Sequence, residues 1–126
     1  MVLKNELYRI KEKAVDGSET VYDIELNPGH FIYKAHFPGE PITPGVCIIQ
    51  IAKELLEELL GVRLDTATVK NVKFLSVITP QPSETVSFRI AKIVVDDAAM
   101  TVKSQIVVTS SGVAKTKMSM TCAILK

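Results

Sequence analysis

The sequence predicts an α+β domain: a curved, mostly antiparallel sheet of about six strands wrapped round one long central helix. Three observations carry that prediction. Residues 44–60 are apolar over most of a helical circumference and leave a single narrow polar stripe, and a helix of that kind has to be enclosed. Six further stretches have the length and residues of strands, several with period-two alternation, and turn-forming clusters separate them. No repeat, low-complexity tract or linker breaks the chain, so residues 1–126 read as one domain.

Residues 7–15 and 20–26 form the expected first hairpin, with DGSE (residues 16–19) as its turn. In its second strand Tyr22, Ile24 and Leu26 alternate with Asp23 and Glu25, which makes one face apolar and the other wet. Asn27, Pro28 and Gly29 end it. A loop follows, KAHFPGEPITPGV (residues 34–46), with three prolines and two glycines. Then comes the helix, with Thr43 as the expected N-cap, Pro44 at the first helical position and Gly61 past its end. Gln50, Lys53, Glu54 and Glu57 make its polar stripe. Residues 69–78, 85–95, 100–109 and 113–125 are the remaining strands, divided by TPQPSE, DDAA and SSG. Val86, Phe88 and Ile90 alternate with Ser87 and Arg89, and Met118, Met120 and Cys122 alternate with Lys117, Ser119 and Thr121. Each set marks a half-buried strand with one face on the helix.

Composition narrows the function. Residues are 47% hydrophobic and 23% charged, with a formal net charge of +1, so no basic excess points to nucleic acid. No apolar run approaches the ~20 residues of a membrane span. The opening MVLKNELYRI lacks the apolar segment of a secretory signal, and two cysteines make no disulfide framework. A reduced, cytoplasmic protein is expected.

The loop carries the candidate chemistry. Pro38, Pro41 and Pro44 fix φ at their positions, while Gly39 and Gly45 permit backbone geometries that other residues resist. His36 therefore sits on a stiff segment that ends at a helix N-terminus, where unpaired N–H groups favour developing negative charge. A base beside such a helix end suits removal of a proton next to a carbonyl. On residues alone, a tight connection holding a hydrogen-bonded histidine fits equally well.

HFPGEPITPGV (residues 36–46) closely resembles the signature loop of the hotdog-fold 3-hydroxyacyl-ACP dehydratases, the FabZ and FabA group. A strand pair before the loop, an apolar helix after it and KNVKFLSVITPQ (residues 70–81) follow the family's order, from about Thr20 onward. The resemblance implies a hotdog fold that pairs edge to edge, as a homodimer or trimer of dimers with sites at subunit interfaces. It implies that His36 takes the α-proton of a 3-hydroxyacyl thioester and that the Gly45 N–H holds the thioester carbonyl, with Phe37, Pro44 and Val46 on the substrate side. The product would be the trans-2-enoyl thioester, and the substrate would ride on the phosphopantetheine of an acyl carrier protein or on CoA. No metal or diffusible cofactor is implied.

One departure matters most. Fourteen residues after the histidine the family has an acid, glutamate or aspartate, and this chain has Gln50. An amide cannot protonate a leaving hydroxide. Four residues on, where FabZ proteins typically carry glutamine, stands Glu54, so acid and amide look exchanged. On a helix those two side chains lie only about 40° apart and can reach one cavity. Either Glu54 takes the acid role, or Lys53, Glu54 and Glu57 are a solvated edge with Lys53 and Glu57 paired. Ala35 also replaces the family glycine before the histidine.

Lesser candidates have plainer readings. His30 has no partners at metal-ligand spacing and reads as a surface histidine. Cys47 lies in the first helical turn, where a thiol can be acidified, but its apolar neighbours favour a core position. Lys34, Lys70, Lys73, Lys115 and Lys117 are either a docking patch for an acidic carrier or scattered surface charge. Two rival functions remain: a hotdog thioesterase using Glu54 to activate water, and a catalytically silent subunit that binds acyl thioesters.

Overall fold

A computed structural model describes residues 2–81 and 84–125. Its strands are β1 (Tyr8–Asp16), β2 (Glu19–Leu26), β3 (Arg63–Phe74), β4 (Val86–Asp96), β5 (Thr101–Ser110) and β6 (Val113–Leu125). The helices are α1 (Ile32–Ala35) and α2 (Gly45–Leu60). The strands form one antiparallel sheet in the order β1-β2-β4-β5-β6-β3. It curls round α2, which is the hotdog fold the sequence led one to expect.

Alternation decides which face each strand presents. Thr20, Tyr22, Ile24 and Leu26 of β2 are buried, as are Val86, Phe88 and Ile90 of β4. Val102, Ser104, Ile106 and Val108 of β5 and Thr116, Met118, Met120 and Cys122 of β6 complete the concave face. Against it α2 buries Cys47, Ile48, Ile51, Ala52, Leu55 and Leu56. Each such leucine or isoleucine contributes about 1.5–3 kcal/mol by leaving water, so the helix is held by burial on nearly all sides. Gly61 ends it at φ +68, donating its N–H to the Glu57 carbonyl at 2.8 Å, a left-handed turn that glycine makes without a Cβ penalty.

Three details correct the sequence-based expectations. The N-cap of α2 is Pro44, not Thr43, and no side chain caps the helix. Thr43 is buried instead, with its hydroxyl 2.9 Å from the Tyr33 hydroxyl. A short helix, α1, runs into the first two residues of the loop, where no helix was expected. Finally, β3 runs from Arg63 to Phe74 rather than over residues 69–78. Its first half looks polar because it is the sheet edge, where Arg63 and Asp65 face water while Leu64 turns inward. It ends at Phe74 because Leu75 N–H and Ser76 N–H both turn to the Lys115 carbonyl, at 2.8 and 3.3 Å. The expected TPQPSE turn includes residues 82–83, which lie outside the described residues.

Candidate active site

His36 follows α1 directly. Its N–H donates to the Ile32 carbonyl at 3.0 Å, and its own carbonyl accepts the Ile42 N–H at 2.8 Å. Between those bonds Phe37 and Glu40 exchange N–H···O contacts at 3.2 and 3.0 Å, closing a tight turn with Gly39 at φ +82. The far end is tied as well, since Thr43 N–H donates to the Ile78 carbonyl at 2.8 Å. Burial and, to a lesser degree, the charge of Cys47 push the Tyr33 phenol beneath the loop up to about 12, against the contrary pull of its Thr43 hydrogen bond. The backbone is thus held at several points while the imidazole is exposed and makes no hydrogen bond among the described residues, only an edge contact with the Phe37 ring at 5.6 Å. The rigidity expected of the loop lies in its main chain.

The loop delivers the chain to the start of α2. Cys47 N–H and Ile48 N–H take the Pro44 carbonyl, at 3.0 and 3.1 Å, so the N–H groups of Gly45 and Val46 come before the first intrahelical donors. Val46 is exposed. Gly45 is covered by the ring of Phe74: a Cβ built at Gly45 would sit 2.7 Å from its Cζ. A side chain at this position would have to push the exposed Phe74 ring aside, and Phe74 is a neighbour that sequence reasoning did not assign to the site.

Gln50 and Glu54 are brought together, as their spacing implied. Gln50 Nε2 donates to Glu54 Oε2 at 2.7 Å. Glu54 is not on a solvated edge: it is buried, 8% exposed, and accepts three further hydrogen bonds. Leu3 N–H reaches Oε2 at 2.8 Å, Lys4 N–H reaches Oε1 at 2.8 Å, and the Tyr8 hydroxyl reaches Oε1 at 3.0 Å. Two donors on each oxygen are the surroundings of a carboxylate. Burial first, then the adjacent Glu54 charge, pushes the Tyr8 phenol far above its ordinary range, so Tyr8 stays a donor. Glu57 also accepts a backbone bond, from Leu64 N–H at 2.8 Å, and among the described residues no ion pair joins it to Lys53. Polar stripe and N-terminal segment together line a cleft of about 520 Å³ that reaches Gln50 and the start of β3. No hydrogen bond among the described residues links Gln50 or Glu54 to His36.

His30 and Cys47 have structural roles. His30 is half-buried, accepts the Ile32 N–H on Nδ1 at 3.1 Å and stacks on Phe31. Burial raises the Cys47 thiol rather than acidifying it, which leaves it a core residue. Lys34, Lys70, Lys73 and Lys117 are exposed, and Lys115 is half-buried. Among the described residues no group of three or more His, Cys, Asp or Glu side chains could hold a metal ion, and no helix is long and apolar enough to cross a membrane.

Comparison with known proteins agrees with the fold. A FabZ 3-hydroxyacyl-[acyl-carrier-protein] dehydratase from Roseobacter denitrificans is 33% identical over 60 residues, 45% of this chain and 38% of that protein. Among solved structures, the dehydratase heterocomplex ApeI:P from Xenorhabdus doucetiae matches with a TM-score of 0.66 at 18% identity, over 89% of this chain and 94% of that one. A hypothetical thioesterase with coenzyme A from Streptococcus pneumoniae matches at 0.63 and 11% identity, over 94% and 85%. Those two likenesses establish the fold. The model of the ApeI-like family, described as ApeI dehydratase, matches residues 12–121, and with His36, its loop and α2 all inside that span, the chain belongs to the ApeI-like dehydratase family.

Proposed function

We propose that this chain dehydrates 3-hydroxyacyl thioesters to trans-2-enoyl thioesters. The observation that carries the reading is the main-chain-tied loop, which exposes the His36 imidazole and leads directly into a helix start whose first N–H groups have no intrahelical acceptor. His36 takes the α-proton while the Gly45 N–H, aided by the helix dipole, steadies the oxygen of the developing enolate. The electron pair left on the α-carbon forms the double bond, and the 3-hydroxyl departs with its electrons. Gln50 hydrogen-bonds that hydroxyl, its amide oriented by Glu54. The proton needed to release water comes from the His36 imidazolium, so one base serves both transfers. Glu54, with four donors on it, acts through Gln50. Because no hydrogen bond among the described residues links His36 to Gln50, the complete site is expected at an interface between subunits, in a homodimer or trimer of dimers. The thioester is delivered by an acyl carrier protein or CoA.

A second reading rests on Gln50. In it a related subunit supplies the acid that position 50 lacks; the fold neighbour ApeI:P is a dehydratase heterocomplex. One assay separates the readings. Wild type, His36→Ala, Gln50→Glu and Glu54→Gln are each incubated with 3-hydroxyacyl carrier protein, and enoyl and free thiol are followed. Enoyl formation by wild type, reduced ~10²–10⁴-fold in His36→Ala, supports the proposal. Activity that appears only in Gln50→Glu, or only with a second subunit, favours the second reading. Release of free thiol without enoyl would make the protein a thioesterase.

A further inference from the structure

The Phe74 ring lies over Gly45, and its three nearest atoms stand 2.7 to 3.2 Å from where a Cβ would be. The same side chain is 54% exposed, so it covers the helix start without being locked into the core. It is the last residue of β3, directly opposite Thr116 of β6. Directly opposed residues of antiparallel strands share a face, with Cβ atoms about 5 Å apart. Thr116 is fully buried, and its hydroxyl has no hydrogen-bond partner among the described residues. A buried polar atom in that state is uncommon, because leaving water without a partner is costly.

We infer that Phe74 gates the helix start and that its outward turn exposes the Thr116 hydroxyl as a further hydrogen-bonding group for the bound thioester. This rests on the reading of the Gly45 N–H as the carbonyl site. With the ring on Gly45, no thioester can reach that N–H from the Phe74 side. With the ring turned into solvent, the space it leaves is floored by Thr116, a donor and acceptor positioned for an oxygen of the substrate. The orphan hydroxyl is then polar because the occupied site uses it.

The test compares wild type, Thr116→Val, Thr116→Ser and Phe74→Ala using a 3-hydroxyacyl pantetheine and the matching saturated acyl pantetheine, which cannot be dehydrated. Thr116→Val is expected to keep or raise thermal stability, since it removes an unpaired polar atom, yet to lose roughly three- to tenfold in affinity for both thioesters. Thr116→Ser restores the affinity. Phe74→Ala is expected to bind the saturated thioester with faster association, and in wild type that ligand shifts the Gly45 amide resonance as the ring leaves it. If wild type binds but Thr116→Val binds equally well, or the Gly45 resonance keeps its ring-shifted position in the complex, the inference is overturned and the dehydratase reading survives. If wild type neither binds nor converts any thioester, the dehydratase reading fails and the gate with it.

Discussion

Replacing Glu54 by glutamine changes one atom, and the structure predicts a large effect. Two donors sit on each carboxylate oxygen: Leu3 N–H and Gln50 Nε2 on one, Lys4 N–H and the Tyr8 hydroxyl on the other. A glutamine must turn its NH₂ toward one of these pairs. Facing the second pair, it can be accommodated by reversal of the Tyr8 hydroxyl, but the Lys4 N–H is left facing a donor. Facing the first pair, the Gln50 amide can flip, but the Leu3 N–H is stranded. Either way one backbone N–H at this part-buried site is orphaned, which costs about 1–3 kcal/mol. The surviving bonds also change from charge-assisted to neutral, losing up to about 1 kcal/mol each. A total near 3 kcal/mol is expected, a large share of the roughly 5–15 kcal/mol that holds a domain together. Thermal denaturation of Glu54→Gln should shift by roughly 10 °C, and amide exchange should show the protection of residues 3 and 4 lost first. If the melting temperature moved by less than about 2 °C while dehydration collapsed, Glu54 would be the exchanged acid and not a latch, and the hydrogen-bond reasoning would be wrong.

Other outcomes follow from the same geometry. Gly45→Ala should cost at most about 1 kcal/mol, because the far end of the exposed Phe74 ring can move out of the way; a crystal structure of the variant with the ring still over residue 45 would contradict this. Leu55→Ala, which empties a fully buried position on the enclosed helix, should lose about 2–5 kcal/mol in urea denaturation, and a loss below 1 kcal/mol would mean that α2 is not enclosed. Alkaline pH should unfold the protein early. Burial holds the Cys122 thiol at about 11 against an ordinary 9.0, and Tyr33 at about 12 against 10.0. Both are raised in the fold, so their contribution is complete below pH 9 and is lost as pH climbs through 9 to 12. A urea midpoint unchanged between pH 8.5 and 11 would show that these groups titrate as they do in the unfolded chain.

The fold was legible because one physical requirement dominates it. An apolar helix needs a concave surface, and strands with alternating Phe88, Ile106 and Met120 can build one. What alternation cannot show is where an edge strand begins. Arg63 and Asp65 look like loop residues because β3 has a neighbour on only one side, and its outward positions face water. Nor does capping preference identify Pro44 as the N-cap, because Thr43 is better used inside, where its hydroxyl meets that of Tyr33. Local propensity yields there to a tertiary hydrogen bond.

The site divides along the same line. His36, Gly45 and Gln50 could be proposed from sequence because they lie within one contiguous stretch whose prolines and glycines have local reasons. Phe74 and Thr116 could not, since one is a strand residue among apolar neighbours and the other part of an alternating strand; the β3–β6 register pairs them, and the Phe74 ring lies over Gly45. Glu54 is the instructive case. Sequence spacing put it beside Gln50, and the structure does so at 2.7 Å, yet its other three partners come from residues 3, 4 and 8, about fifty positions away. A carboxylate engaged by four donors is held as an acceptor, so exchanging acid and amide along the helix does not by itself exchange their chemistry. Glu54 accepts the Gln50 amide, so on the proposed mechanism Gln50 meets the departing hydroxyl and Glu54 orients the amide. On the proposed mechanism the proton for the departing hydroxyl would therefore come from His36 or from another subunit, and not from Glu54.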